Sequence, residues 1–375
     1  MNDPYDPFSR LNPGSPVMVA FSGGVDSSVA AYLCLKAGFQ VRAVTMSLLG
    51  PEHFDPSRAR QTADRLGIPL EILDLSAEFE QTVMRETWNI YSSGRTPNPC
   101  AVCNPKFKFG RLLEFARRHD CEFLVTGHYA RLCQDDDGSL LLKKGVCREK
   151  DQSYFLFGLS RDQLAHACFP LGNMEKSQVR AIAAELGLPS AEAKESQDAC
   201  FAPADGSNMA EMLRCRFGAP AETGNFVDPD GKVLGSHCGI HAYTIGQRKG
   251  TGVALGRPAY VKSIHPQTRE IVLTPDPSDL MSCEVRLAKP NLLIPDYEDR
   301  TEFTCDVKIR YRSPAVPARV RQYPDHCTLS FDQPQRAVTP GQAAVFYDGD
   351  ILIGGAWIEC AEQTAVDQIS LNPLK

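Results

Sequence analysis

An α/β fold, with a parallel-sheet domain first and two β-rich domains behind it, is the class this sequence predicts. Three observations carry that expectation: strand and helix patterns alternate through the first half, a glycine loop follows the first strand directly, and after about residue 205 short strands alternate with Gly, Pro and Asp. Strand–helix alternation means parallel strands wrapped by helices, because parallel neighbours need long crossovers. Taken in order, "VMVAF" (17–21), "VRAVTMSLL" (41–49), "LEILDL" (70–75) and "EFLVTG" (122–127) read as buried strands. Between them "DSSVAAYLCLKAG" and "PSRARQTADRLGIP" have helical spacing and stop at Gly38 and Gly67. Further helices are expected over 78–91, 106–118 and 176–186. Beyond them "AYVKSIH", "REIVLT", "FTCDVKIRYR", "CTLSF", "AAVFYD" and "ILIGGAWI" read as strands of small β domains. Breaks near 204 and 278 divide the chain into 1–204, 205–278 and 279–375.

A chain of 375 residues is too long for one ordinary core, and 43% apolar with 23% charged residues is a common globular balance. The start, "MNDPYDPFSRLNPGSP", lacks an apolar signal region, and no run of about 18 apolar residues follows. The expectation is a cytoplasmic protein with no membrane partner. A net charge of −6 argues against wholesale polyanion binding while leaving room for local basic patches.

Two segments carry chemistry. "SGGVDSS" (22–28) opens the first helix, where glycines admit close approach and free N–H groups with a positive dipole end suit a phosphate. No lysine follows, so it is not a G-x-x-x-x-G-K-[ST] loop. "TPNPCAVCNPKFKFG" (96–110) places Cys100 and Cys103 on what reads as a stiff loop. The spacing admits half of a zinc site, a dithiol redox pair, part of an iron–sulfur site, or a persulfide nucleophile with a helper. Of the fourteen cysteines, Cys34, Cys121, Cys168, Cys215 and Cys305 lie singly in apolar segments and read as small buried hydrophobes. Cys100, Cys103 and Cys200 escape that reading. Lys106 and Lys108 are placed to lower a nearby thiol pKa.

The glycine loop resembles that of the pyrophosphate-loop ATPases, which split ATP to AMP and pyrophosphate while adenylating an acceptor. With it "TPNPCAVCNPKFKFG", "TGHYAR" (126–131), "KDQSYFL" (150–156), "SQDACF" (196–201), "YTIGQRKG" (243–250), "KIRYRSP" (308–314) and "VTPGQAAVFYDGD" (338–350) occur in order. From end to end this pattern is similar to the bacterial tRNA-specific 2-thiouridylase family. The resemblance implies a domain of the adenine nucleotide alpha hydrolase type, then a β-rich domain and a C-terminal β-barrel. It implies ATP with Mg2+ held by Ala20, Phe21, Ser22, Gly23, Gly24, Val25, Asp26, Ser27 and Gly127, with Met46 lining the adenine pocket. It also implies sulfur insertion at position 2 of a wobble uridine (position 34): the oxygen is adenylated, and sulfur from a donor protein or sulfide displaces AMP.

In that resemblance Cys200 carries the persulfide, and Cys103 attacks or helps release the sulfur, leaving a Cys103–Cys200 disulfide. Many family members have Asp where this chain has Cys100, so an acid/base role there does not transfer unchanged. Three cysteines, Cys100, Cys103 and Cys200, would also suit a 4Fe-4S cluster with one open iron, as in related thiolation enzymes. A persulfide site with a spare thiol is the second reading, and zinc, lacking a fourth ligand at a convincing spacing, is the third.

The tRNA residues implied are Asn98, Pro99 and Cys100 at the target base, His128, Lys150, Asp151 and Gln152 beside it, and Arg310, Tyr311 and Gln342 from the last domain. "GQRKG", "KIRYR" and "ARVRQ" supply basic strands with Tyr near two of them, and base extrusion from the anticodon loop is expected. Two rivals remain at this point: C–N ligation on the same ATPase scaffold, which needs no paired cysteines, and a metal-stabilised RNA-binding protein with a vestigial nucleotide site.

Overall fold

The computed structural model describes residues 5–135, 137–189, 199–203, 205–254 and 256–363; Ser196, Gln197 and Asp198 of the "SQDACF" segment lie outside the described residues. β1 (Pro16–Ala20), β2 (Gln40–Ser47), β3 (Leu70–Asp74) and β4 (Phe123–Val125) are parallel. A hairpin of β5 (Ala130–Gln134) and β6 (Leu140–Lys144) follows, then β7 (Ala167–Cys168). The first sheet has the order β3-β2-β1-β4-β7. Val17, Met18 and Val19 of β1 are fully buried, as a central strand covered on both faces requires.

α1 (Val25–Lys36) and α2 (Ser57–Leu66) wrap that sheet. α2 starts where the Asp55 carboxylate accepts from the Ser57 N–H at 2.9 Å and ends at Gly67, whose φ of 66° is left-handed. The order reverses beside β1, so the crevice outside the carboxyl ends of the strands opens over the glycine loop.

The stretch 96–110 is not the loop the sequence suggested. Asn98 caps a helix by accepting from the Ala101 N–H at 3.3 Å, Pro99 takes the first helical position, and Pro99–Cys103 is α-helical. From Asn104 to Arg111 the helix widens to π geometry, which accommodates Pro105 and its missing N–H. Leu112–Arg117 then returns to α. The expected helices over 78–91 and 176–186 are present as Ser76–Ser92, with a π-turn at Glu80–Met84, and as Lys176–Glu185.

β8 (Gly224–Val227), β9 (Val233–His237), β10 (Tyr260–His265) and β11 (Glu270–Thr274) form a small sheet in the order β10-β11-β8-β9 around Phe226, Val261, Ile271 and Leu273. The last unit comprises β12 (Met281–Ala288), β13 (Asn291–Leu292), β14 (Glu302–Lys308), β15 (Val316–Gln322), β16 (His326–Arg336), β17 (Ala343–Asp348) and β18 (Ile351–Gln363). The path β12-β16-β15-β14-β17-β18 closes through antiparallel pairing of β12 with β18, giving a six-stranded barrel. The β5–β6 hairpin attaches to this barrel where Lys143 pairs with Ile351.

Two cysteine expectations change. Cys34, Cys121 and Cys168 are buried as expected, whereas Cys215 is exposed beside Glu211 and Arg214, and Cys305 is half-buried. Among the described residues, no helix is long and apolar enough to cross a membrane.

Candidate functional site

The glycine loop sits at the carboxyl end of β1, where Phe21 N–H bonds to Val44 O at 2.8 Å. Gly23 has a φ of 68°, and a Cβ there would stand 2.6 Å from Ala59 Cα, so only glycine lets the loop lie on the first turn of α2. Gly24 caps α1 in an extended conformation with no side-chain cap, leaving the first-turn N–H groups to meet an anion. Ser27 Oγ lies 3.2 Å from Ser22 Oγ and donates to Gly24 O, which stiffens the loop from within. This cradle fits a phosphate chain. Met46 is half-buried at the end of β2 and packs against the apolar cluster that holds Met18 and Val44 and the one that holds Cys103.

Asp26 is not left open. Its Oδ1 accepts from Tyr129 OH at 2.8 Å and from Lys176 Nζ at 2.7 Å. Lys176, which begins the helix Lys176–Glu185, went unnoticed in the sequence because no local pattern links it to a residue 150 positions earlier.

The thiols gather beyond β4. Cys103 is buried in a cluster with Phe79, Phe107 and Phe201, and the Phe79 and Phe201 rings meet edge-on at 5.7 Å, which pins the Cys200 segment beside the Cys103 helix. Cys100, Cys103 and Cys200 feel one another electrostatically, and all three feel Lys108. Burial pushes the Cys103 thiol up to about 12 against the opposing pull of Lys108. Cys200 is exposed, yet the surrounding protein pushes its thiol up to about 11, and burial raises Cys100 too.

The expected lowering by the two lysines is therefore corrected. Lys108 acts in that direction and is outweighed by burial, while Lys106 is exposed and pairs with Glu86 at 2.7 Å. The resting thiols are protonated. Alkylation of Cys200 by iodoacetamide, read by peptide mass spectrometry, is expected to rise about tenfold per pH unit between about pH 7 and 9. Lys108→Met should move the curve further alkaline; a rate flat with pH would contradict a raised pKa.

Among the described residues, no group of three or more His, Cys, Asp or Glu side chains is arranged to hold a metal ion.

Residues 126–129 join the two halves of the site. A Cβ on Gly127 would stand 2.9 Å from the Asp26 carbonyl carbon and 3.0 Å from Ser27 N, so its backbone lies directly on the glycine loop. His128 is buried, with Nδ1 2.7 Å from Thr126 Oγ1 and Nε2 3.3 Å from Lys108 Nζ. Burial first, then Lys108, holds its pKa well below the ordinary value, so the ring is neutral and can accept from the ammonium. Gln152 exchanges hydrogen bonds with the Tyr129 backbone at 3.0 and 3.1 Å. Asp151 is buried and accepts from Gly145 N, Ser153 N and Ser153 Oγ. Gln152 thus braces Tyr129, Asp151 ties Gly145 to Ser153, and Lys150 lies half-buried beside them.

The remaining expected tRNA residues have internal work as well. Asn98 and Pro99 are buried at the start of the cysteine helix, and Cys100 is half-buried. Gln342 Nε2 donates to Thr96 O at 3.1 Å and Pro97 O at 2.8 Å, tying that helix to the barrel. Arg310 turns its guanidinium inward, donating to Ala337 O and Thr339 Oγ1 at 2.6 Å each and to Ile245 O at 3.5 Å. Arg310→Ala should cost about 1–3 kcal/mol and lower the thermal midpoint, since charged hydrogen bonds in a half-buried site are lost; an unchanged melting curve would contradict the clamp. Tyr311 packs against Phe155 with ring centres 4.5 Å apart. Of the basic stretches, Arg319 and Arg321 form an exposed strand face paired with Glu302. Arg248 and Lys249 stand exposed in a loop.

Comparison with known proteins gives three matches in chain order. The tRNA methyl transferase HUP domain family matches residues 15–204, the tRNA methyl transferase PRC-barrel domain family residues 216–275, and the aminomethyltransferase beta-barrel domain family residues 282–358. The chain is 43% identical over 358 residues to the tRNA-specific 2-thiouridylase MnmA of Carboxydothermus hydrogenoformans, covering 92% of this chain and 97% of that one. It is 42% identical over 372 residues to the protein of the same name from Geotalea uraniireducens, covering 95% and 98%.

Proposed function

This chain belongs to the tRNA-specific 2-thiouridylase family, whose members are sulfurtransferases, and from that premise we propose that it uses ATP to replace the C2 oxygen of the tRNA wobble uridine with sulfur carried on Cys200. One observation supports the reading most: the backbone of Gly127 lies on the glycine loop while its neighbour His128 meets Lys108, whose charge acts on all three thiols. Gly127 and His128 thus link the nucleotide cradle to the ammonium that acts on the thiols, and in this reading the activated base is held between the two.

The uracil O2 attacks the α-phosphorus of ATP, the bond to the β-phosphate oxygen breaks with its electron pair on pyrophosphate, and the N3 proton passes to solvent. The base now carries AMP on O2. The terminal sulfur of a Cys200 persulfide, as its anion, attacks C2 and AMP leaves with the oxygen. The Cys103 thiolate then attacks Cys200 Sγ; the sulfur–sulfur bond breaks, its pair stays on the sulfur at C2, and N3 regains a proton. The Cys103–Cys200 disulfide left behind is reduced by an external dithiol.

In this reading the uncapped start of α1 with Gly23 and Gly24 holds the phosphates, and Mg2+ supplies charge to the polyphosphate. Lys108 favours the thiolates once substrates alter their surroundings. The exposed Arg248 and Lys249 suit tRNA phosphates, Gln342 holds the start of the cysteine helix where the base must arrive, and Arg310 clamps residues 337–339 of the barrel beside it to Ile245.

The test is a single turnover of persulfide-loaded protein with tRNA and ATP. One AMP and one pyrophosphate should form per 2-thiouridine, and a Cys103–Cys200 disulfide should appear in the peptide map. Sulfur insertion without ATP cleavage would overturn the reading.

A further inference from the structure

We propose that a slot behind the cysteine helix is a binding site for a small aromatic carboxylate, a site that lies outside the sulfur-transfer reading and does not depend on it.

The slot encloses about 260 Å3 between the first domain and the barrel. Its floor is the reverse face of the helix that carries two of the thiols. Successive residues of a helix turn by about 100°, so Ala101, Val102, Pro105 and Lys106 share one face and line the slot, while Cys100, Cys103 and Asn104 lie on the other. The opposite wall is rigid. The Phe157 ring lies on Gly355, where a Cβ would stand 2.9 Å from it, and meets the Trp357 ring edge-on with centres 5.3 Å apart. Asn291 Nδ2 donates to Phe157 O at 2.6 Å and to Leu159 O at 2.9 Å, which pins the turn carrying Gly158 to the barrel. Aromatic edges over glycine backbone make a preformed space for a flat ring.

The polar groups at the slot decide the charge of that ring. Among the described residues, the indole N–H of the half-buried Trp357 donates to nothing and the exposed Lys289 ammonium has no ion-pair partner. Glu86, the one acid at the rim, is paired with Lys106 at 2.7 Å. A carboxylate entering the slot therefore meets one ammonium and one indole donor, one for each oxygen, with no unpaired acid against it. Size narrows the class further. Sites for drug-sized ligands run from about 300 to 1,000 Å3, so this slot suits an acid of one or two rings and is too small for a mononucleotide.

The probe is 2-naphthoate, with 2-naphthylmethanol as its neutral counterpart, and binding to the intact protein is measured by equilibrium dialysis. The acid should bind saturably, and the alcohol about tenfold more weakly or worse. Lys289→Ala and Trp357→Phe should each weaken the acid about 3–10-fold, the second because it keeps a ring and removes only the donor. Gly158→Leu should abolish binding by filling the slot, since a Cβ there meets only Pro105 Cγ at 3.6 Å and Ala101 O at 3.7 Å. Circular dichroism checks folding, and Lys289→Ala, at an exposed position, keeps the test open if Gly158→Leu fails to fold. Absence of 2-naphthoate binding, equal affinity for the alcohol, or unchanged affinity in Lys289→Ala and Trp357→Phe would each overturn the proposal. So would displacement of the probe by AMP or Mg·ATP, which would place it in the nucleotide cradle instead.

Discussion

Cys200→Ser is expected to lower 2-thiouridine formation about a thousandfold or more while leaving tRNA-dependent AMP and pyrophosphate release in place. A serine oxygen cannot carry sulfane sulfur, yet it fills nearly the same space, and Phe201 still anchors the segment on Phe79. Cys103→Ser should block the same reaction one step later, leaving the base joined to Cys200 through a disulfide that mass spectrometry of the tRNA–protein adduct would detect. Cys100→Ser separates the roles further. Cys100 shares the field of Lys108 but takes no part in the proposed bond changes, so sulfur transfer should survive at a reduced rate. If Cys100→Ser were as inactive as Cys200→Ser, the two-thiol scheme would fail.

Gly127→Ala should weaken ATP binding on the order of 10–100-fold without unfolding the chain, an overpacking cost of about 1–3 kcal/mol placed on the nucleotide loop. The added methyl would stand 2.9 Å from the Asp26 carbonyl carbon and 3.0 Å from Ser27 N, both backbone atoms that cannot rotate away. Relief requires residues 126–129 to retreat from α1. That retreat would also shift Tyr129 from Asp26 and His128 from Lys108. Isothermal titration with ATP reads the first effect, and the pH dependence of Cys200 alkylation reads the second. Wild-type ATP affinity in the variant would mean the contact is not part of the site.

Much of the first domain was legible because its signals are local. The alternation of apolar strands with helices ending at Gly38 and Gly67 led to the parallel sheet, and the Gly-Gly turn after β1 marked the phosphate cradle. The helix at Pro99–Cys103 was missed although its start signals, Asn98 and Pro99, are both in the sequence; the prolines around it pointed to a loop, and the π-widening that tolerates Pro105 leaves no mark in residue spacing. The β5–β6 hairpin was missed for another reason. It belongs by sequence to the first domain but pairs with the barrel through Lys143 and Ile351, a contact across 208 positions.

The sequence by itself determined the fold class, the glycine loop and, through eight ordered motifs, the family. Each is written in residue type and short spacing, which fix backbone conformation and chemical capability directly. Tertiary structure alone decided what those residues are able to do. It neutralised Asp26 with a lysine 150 positions away and turned Arg310 inward. It also raised the thiol pKa values despite a neighbouring cation. Charge state depends on burial and on distances between atoms far apart in the chain, and those quantities exist only once the chain has packed.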